Sequence, residues 1–259
     1  MKTVITTSGR PDNQTSLLAN EAATVLGYEI IERNKLSIKN IQKINNANCI
    51  IAGKDRFELY RIGMEKPFFF HPNSAAFRMK RLINGEKDPL IEATQLKSGM
   101  SFLDCTLGLA SDSIIASYIV GELGDVTGIE LDRDIAFITM KGLLSFPSDS
   151  NKLIDAMLGV HVVQDNAIDY LKKQSDSSWD IVYIDPMFSE PINESSNFTP
   201  LRQVGAKNSL TEEWVEHAFR VCKERVVIKD RFDSPIFEKF GFKRYNRPNT
   251  KFHFASLEK

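Results

Sequence analysis

Residues 102–112 read FLDCTLGLASD, and this stretch decides the fold. An apolar strand pattern, Ser101 to Asp104, ends on a carboxylate, turns through Gly108 and enters a helical run from Ser111 to Val120. A strand that turns through glycine into a helix opens a βαβ unit, and the same rhythm repeats outward from here. Val126 to Glu130 reads as a second strand, with a helix over Ile135 to Leu144. Val160 to Val163 is a third, followed by a helix over Ala167 to Lys172. Asp180 to Ile184 is the fourth, nearly all apolar, as a buried parallel strand should be. Ser209 and Glu212 stand at capping-box spacing for a helix over Thr211 to Val221, and Val226 to Ile228 is a fifth strand. Lys243 to Tyr245 and Phe252 to Ala255 are strand-like and finish the chain. Alternation of this kind predicts an α/β fold with a doubly wound, Rossmann-like parallel sheet. Ligands of such sheets sit at the carboxyl ends of the strands.

Upstream lies a different texture. Residues 1–66 read as a small α/β unit: a strand over 2–7, a helix begun by Asp12 and stopped by Gly27, a short strand Tyr28 to Ile31, a helix Leu36 to Ile44, and strands Asn48 to Ala52 and Phe57 to Ile62. Residues 67–95 form a basic connector in which three phenylalanines precede Arg78, Lys80 and Arg81, with a short helix after Pro89. The large α/β domain then occupies 96–259. No apolar run approaches the roughly 20 residues a membrane span needs. Cys49, Cys105 and Cys222 are far apart, so neither a zinc cluster nor a disulfide framework is indicated, and a cytoplasmic location is expected.

Four clusters carry chemistry. In the first, Ala110 and Ser111 stand where a dinucleotide fingerprint would have its later glycines, and Asp104 and Asp112 disfavour a pyrophosphate. Two carboxylates suit a ligand with positive charge, and S-adenosylmethionine carries an ammonium and a sulfonium. The plainer reading is a strand–turn–helix with Asp112 as its cap. Glu130 follows Gly108 at the tip of the second strand, where a carboxylate can grip a ribose diol. Asp165 and Asn166 end the third strand, where a polar acceptor can read an adenine amine or Asp165 can simply cap a helix.

The sharpest cluster is DIVYIDPMF, residues 180–188. A buried strand ends in Asp185, Pro186, Met187 and Phe188. Proline fixes its own backbone and lacks an N–H, so a rigid turn can present the Asp185 carboxylate and backbone carbonyls as acceptors. Two acceptors can hold an NH₂ group with its lone pair facing a methyl donor, and Phe188 can stack on an extruded base. Such transfer rests on orientation and proximity, without a metal. Standing alone, the same four residues are also what a strand end with a proline turn looks like.

With these clusters in hand, the chain resembles the RsmJ-type small-subunit ribosomal RNA guanine methyltransferases, in a Gram-positive-type branch. The shared order is D-x-T-x-G-L-x-x-D, an acidic strand end, VYxDPMF and VVxK. Here it appears as Asp104, Thr106, Gly108, Leu109 and Asp112; Glu130; Val182 to Phe188; and Val226 to Lys229. The chain departs from the family in having Ser111 and Leu131 where arginines are usual. The resemblance implies a class I S-adenosylmethionine-dependent methyltransferase that modifies the 2-amino group of a guanine in small-subunit ribosomal RNA and releases S-adenosylhomocysteine. It implies cofactor contacts at Ser111, Asp112, Glu130, Leu131, Asp165, Asn166 and Asp185, to which the residue reading adds Asp104, Thr106 and Gly108. The same chemistry on adenine or another base amine of RNA or DNA, and a non-catalytic RNA-binding assembly factor, are the alternatives.

Charge distribution bears on the partner. The net charge is −1, yet residues 1–100 carry +5, residues 101–201 carry −11 and residues 202–259 carry +5. A positive flank on each side of an acidic centre could grip RNA phosphates. Arg78, Lys80, Arg81 and Lys229 are the candidate substrate contacts, with ribosomal RNA or the small ribosomal subunit as the expected partner. The competing expectation is local pairing of Arg78 and Arg81 with Glu86, Asp88 or Glu92.

Overall fold

The computed structural model describes residues 1–186, 210–248 and 250–259. Its centre is a seven-stranded sheet. The strands are β4 (Ser101–Asp104), β5 (Asp125–Glu130), β6 (Val160–Gln164), β7 (Trp179–Ile184), β8 (Cys222–Arg231), β9 (Lys243–Tyr245) and β10 (Phe252–Glu258). Their order is β6-β5-β4-β7-β8-β10-β9. The run from β6 to β8 is parallel, and β10 pairs antiparallel with both β8 and β9. This is the doubly wound sheet expected from the sequence. The chain leaves β4 toward β5 on one side and later returns to place β7 on the other. The carboxyl ends of β4 and β7 therefore flank the topological switch point, where such sheets hold ligands.

Helices cover both faces. On one lie α3 (Asn73–Ile83), α4 (Pro89–Thr94), α5 (Ser111–Val120), α6 (Arg133–Ser145) and α7 (Asn151–Leu158). On the other lie α8 (Ala167–Lys173), α9 (Glu212–Val221) and the short α10 (Ile236–Lys239). Tyr183 is fully buried on the first face, stacked between Phe102 on β4 and Phe254 on β10 with centroids 5.7 and 6.4 Å away.

The N-terminal residues build a three-stranded sheet, ordered β1 (Thr3–Thr7), β2 (Asn48–Ala52), β3 (Phe57–Tyr60), with α1 (Asn13–Leu26) and α2 (Ile38–Asn45). Asp12 closes a capping box on α1, and Gly27, with φ of 66°, ends it. One hydrophobic cluster runs from Ile5, Ala22 and Phe57 through Phe68 and Phe70 to Phe137 and Phe102, so both sheets share it. Phe57 meets Phe137 of α6 edge-on at 5.1 Å.

Several local expectations are corrected. Tyr28 to Ile31 makes only one bridge, Ile5 to Ile30, and β3 stops at Tyr60. Residues 67–95, read as a connector, hold the eleven-residue α3, which has no side-chain cap to announce it. Helix α7 was likewise not anticipated, although Ser150 caps it. Strand β8 runs ten residues because Cys222 pairs with Trp179 of β7, and Arg225 with Ile181 of β7 and Glu258 of β10, ahead of the apolar run. The cap of α9 is Thr211; Ser209 lies outside the described residues. Among the described residues no helix is long and apolar enough to cross a membrane.

Candidate active site

Four carboxylates converge at the switch point, each carried there by the end of a strand or the start of a helix. Asp104 ends β4 and is buried. Its Oδ1 accepts from the backbone N–H and the hydroxyl of Thr106, at 2.9 and 3.2 Å, and its Oδ2 accepts from the Ser113 hydroxyl at 2.6 Å. Thr106 faces the other way as well, since its hydroxyl accepts from the Asp185 N–H at 2.7 Å. Thr106 thus ties the end of β4 to the end of β7.

The turn into α5 is left-handed at Gly108, with φ of 52°, and at Ala110, with φ of 58°. Glycine takes this conformation freely and alanine does not. The turn points the Gly108 N–H at Glu130 Oε2, 3.1 Å away, while Oε1 accepts from the Asp132 N–H at 2.9 Å. The Gly108 carbonyl is held by the Thr139 hydroxyl of α6 at 2.7 Å. Glu130 therefore bridges the first turns after β4 and β5. Gly128 lets this happen, because a Cβ there would collide with the Leu107 side chain.

Asp112 is not the cap of α5; the cap position is Ala110, with no side-chain bond. Instead Asp112 sits in the first helical turn and is held on three sides. Arg78 Nη1 reaches Oδ1 at 2.5 Å, and the Tyr183 hydroxyl and Lys229 Nζ reach Oδ2 at 2.8 and 3.2 Å. Lys229 also meets Asp185 Oδ2 at 2.6 Å. Arg78 in turn makes a bidentate pair with Asp88, both bonds 2.8 Å. The result is an alternating line of charge, Asp88–Arg78–Asp112–Lys229–Asp185, drawn from α4, α3, α5, β8 and β7.

Electrostatics follow from burial and company. Desolvation pushes Asp104 and Glu130 up to about 7, against hydrogen bonds that favour their charged forms. Asp112 is buried too, yet Lys229 and Arg78 outweigh that and hold it well below the usual carboxylate range. Asp185 is raised by desolvation despite Lys229, with the charges of Asp112 and Asp230 adding to the rise. Both Arg78 and Lys229 are raised by their acidic partners in spite of burial.

The remaining candidates are placed as follows. Ser111 opens α5, and Leu131, half-exposed, follows Glu130 with its carbonyl held by Gln164 at 3.2 Å. Asp165 donates its backbone N–H to the Glu130 carbonyl at 3.2 Å, which brings the end of β6 beside that of β5. Its side chain pairs with Lys173 at 2.7 Å, while the cap of α8 is Asn166, not Asp165. Pro186 is buried after Asp185. Met187 and Phe188 lie outside the described residues. On α3, Arg78 turns inward, Arg81 pairs with Glu86 at 2.7 Å, and Lys80 is exposed. The contacts of Arg78 and Arg81 are those of the local-pairing expectation, with Asp112 added. That addition was invisible in sequence, since Arg78 and Asp112 are 34 residues apart.

The donor set fits S-adenosylmethionine. Asp104 and Glu130 have no cation beside them among the described residues, and a positively charged ligand favours their ionised forms. Glu130 at the tip of β5 and Asp104 at the end of β4 lie at the carboxyl ends of the strands, where such sheets hold ligands, whereas Asp112 is taken up by Arg78, Lys229 and Tyr183.

Comparison with known proteins agrees. The family model for SAM-dependent methyltransferases matches residues 29–243. The uncharacterized protein YpiP of Bacillus subtilis (strain 168) is 40% identical over 255 residues, covering 98% of this chain and 99% of that one. The crystal structure of the SAM-dependent methyltransferase NGO1261 from Neisseria gonorrhoeae superposes with a TM-score of 0.60 at 15% identity, covering 98% of this chain and 95% of that one. The sheet order, the carboxylates at its switch point and the family match lead to one conclusion: the chain belongs to the SAM-dependent methyltransferase family, with a Rossmann-like class I fold and S-adenosylmethionine as its cofactor.

Proposed function

We propose that this methyltransferase acts on an exocyclic amine of a nucleic-acid base, the 2-amino group of a guanine in small-subunit ribosomal RNA. The observation that carries the reading is the position of Asp185. It ends the strand across the switch point from Asp104, its N–H is fixed by Thr106, and its carboxylate is held by Lys229. A carboxylate so fixed accepts a hydrogen of an NH₂ group and turns the nitrogen lone pair toward the methyl donor, which gains its rate from orientation. S-adenosylmethionine supplies the methyl group when bound. Pro186 offers no competing N–H at that point. Phe188 stacks on the base and Met187 packs beside it; for these two the proposal rests on the DPMF sequence.

Guanine in ribosomal RNA is supported by the resemblance carried by DPMF and VVxK, and by the +5 flanks on either side of an acidic centre. Exposed Lys80, with Arg244 and Arg247 near the C-terminus, is the better candidate for phosphate contact; Arg78 is engaged in the site. A ribosomal substrate places the protein in the cytoplasm. Mass mapping of ribosomal RNA nucleosides from cells with and without the gene tests the substrate. Loss of one N2-methylguanosine from the small-subunit RNA is expected, and an unchanged map contradicts it.

A further inference from the structure

The line Asp88–Arg78–Asp112–Lys229–Asp185 joins the DPMF carboxylate to a helix that lies outside the large sheet. Arg78 is carried by α3, and no residue of α3 belongs to a strand end or to the turns around the switch point. Its guanidinium is nevertheless almost fully committed: Nε and Nη2 to Asp88, Nη1 to Asp112. We propose that Arg78 is a positioning residue for the methyl-transfer site: by neutralising Asp112 it releases Lys229 to hold Asp185 ionised and oriented.

The argument is one of shared charge. Lys229 stands between two carboxylates, 2.6 Å from Asp185 and 3.2 Å from Asp112. Opposite charge at these distances governs which acid stays ionised. With Arg78 on its other side, Asp112 has a second cation and the Tyr183 hydroxyl, so the lysine lies nearer Asp185. Without Arg78, Lys229 is the one cation left on Asp112 among the described residues, and the lysine is drawn from Asp185 toward it. Asp88 acts in the opposite sense, since it draws on the charge that Arg78 offers Asp112. The groups that face Asp185 among the described residues are Lys229 and Asp230 on β8, Asp112 on α5, Asp104 on β4 and Tyr183 on its own strand, with Arg78 behind Asp112. Asp112 and Asp230 raise Asp185 when charged, the Tyr183 phenol stays neutral, and Lys229 is the one cation in contact among the described residues, so its placement decides the outcome.

This inference deepens the amine-site reading and rests on it for its bearing on catalysis, but its test reads Asp185 directly. The carboxyl carbon of Asp185, labelled with carbon-13 and assigned by its disappearance in Asp185→Asn, is titrated by NMR in the ligand-free protein. Arg78→Met is expected to raise the Asp185 titration by about one pH unit, as for the loss of a nearby opposite charge. Asp88→Asn keeps the helix cap of α4 and is expected to lower it, while Arg78→Lys retains the wild-type value to within a few tenths. A merely structural role for Arg78 predicts a lower melting temperature in the variants without opposed shifts. Should Arg78→Met fail to fold, the Asp88→Asn shift alone decides. Unmoved titrations, or shifts of one sign in both Asp88→Asn and Arg78→Met, overturn the inference. Transfer of labelled methyl from S-adenosylmethionine to small ribosomal subunits is measured in parallel. Full transfer by Asp185→Ala would defeat the amine-site reading while leaving the charge relation standing, so the two failures are told apart.

Discussion

Glu130 ties two turns together and, in the proposed reading, also holds the cofactor. Both its oxygens accept backbone N–H groups, from Gly108 and Asp132, which leaves lone pairs on each oxygen for a ribose diol. Glu130→Ala should weaken S-adenosylmethionine binding by about 1–3 kcal/mol in calorimetry, the cost of losing a buried acceptor. Affinity equal to wild type would remove Glu130 from the cofactor site. The same residue and Asp104 set a pH dependence. Both are pushed up to about 7 by burial, so the folded protein keeps protons that the unfolded chain releases near pH 4. The folded state then binds more protons across that interval, and stability falls as pH rises from about 4 to about 7. A cationic ligand favours the ionised forms. Binding of S-adenosylmethionine near pH 7 should therefore release protons and tighten as pH rises from about 6 to about 8. Calorimetry in buffers of different ionisation enthalpy reads this directly, and zero proton release would contradict it.

At the scale of elements, the strands that make the site were legible because apolar runs end abruptly on acids. β4 and the helix after it were read from FLDCTLGLASD with the bounds they have, and β7 was read to within one residue at its start. Glu130 ends β5 and Asp185 directly follows β7, as the motif spacing required. What sequence could not give was anything fixed by partners distant along the chain. Helix α3 has no side-chain cap at Pro72, although Gly85, with φ of 82°, closes its far end after Asn84, and so its basic residues looked like a connector. The inward turn of Arg78 depends on Asp88 and Asp112, which only folding brings together. The fit of α6 against the segment after β3 is another case. Gly142 sits in mid-helix, normally a cost, yet a Cβ there would run into the Phe70 ring. Gly142→Ala should therefore destabilise by about 1–3 kcal/mol through overpacking, against its helix-propensity gain. A thermal melt that rises instead would show that Phe70 has room to move.

For the whole molecule, the arrangement is an acidic cofactor centre braced by an N-terminal unit. The first turn of α6, which follows Glu130, is gripped by Arg61 on Asp132 at 2.6 Å and by Thr3 and Tyr28 on Asp134, both at 2.9 Å. The first turn of α5 is gripped by Arg78 on Asp112. Both helices that follow β4 and β5 are thus held from residues ahead of the large sheet, and the shared hydrophobic cluster makes the same connection. In the proposed reading, the carboxyl ends of β4 and β7 are the meeting place of cofactor and acceptor. The most direct measurement incubates the purified protein with methyl-labelled S-adenosylmethionine and small ribosomal subunits from cells lacking the gene, then locates the label. The account predicts label on a guanine 2-amino group with the wild-type protein and none with Asp185→Ala. Label transferred by Asp185→Ala as by the wild type, or no label on RNA with the wild type, would contradict it.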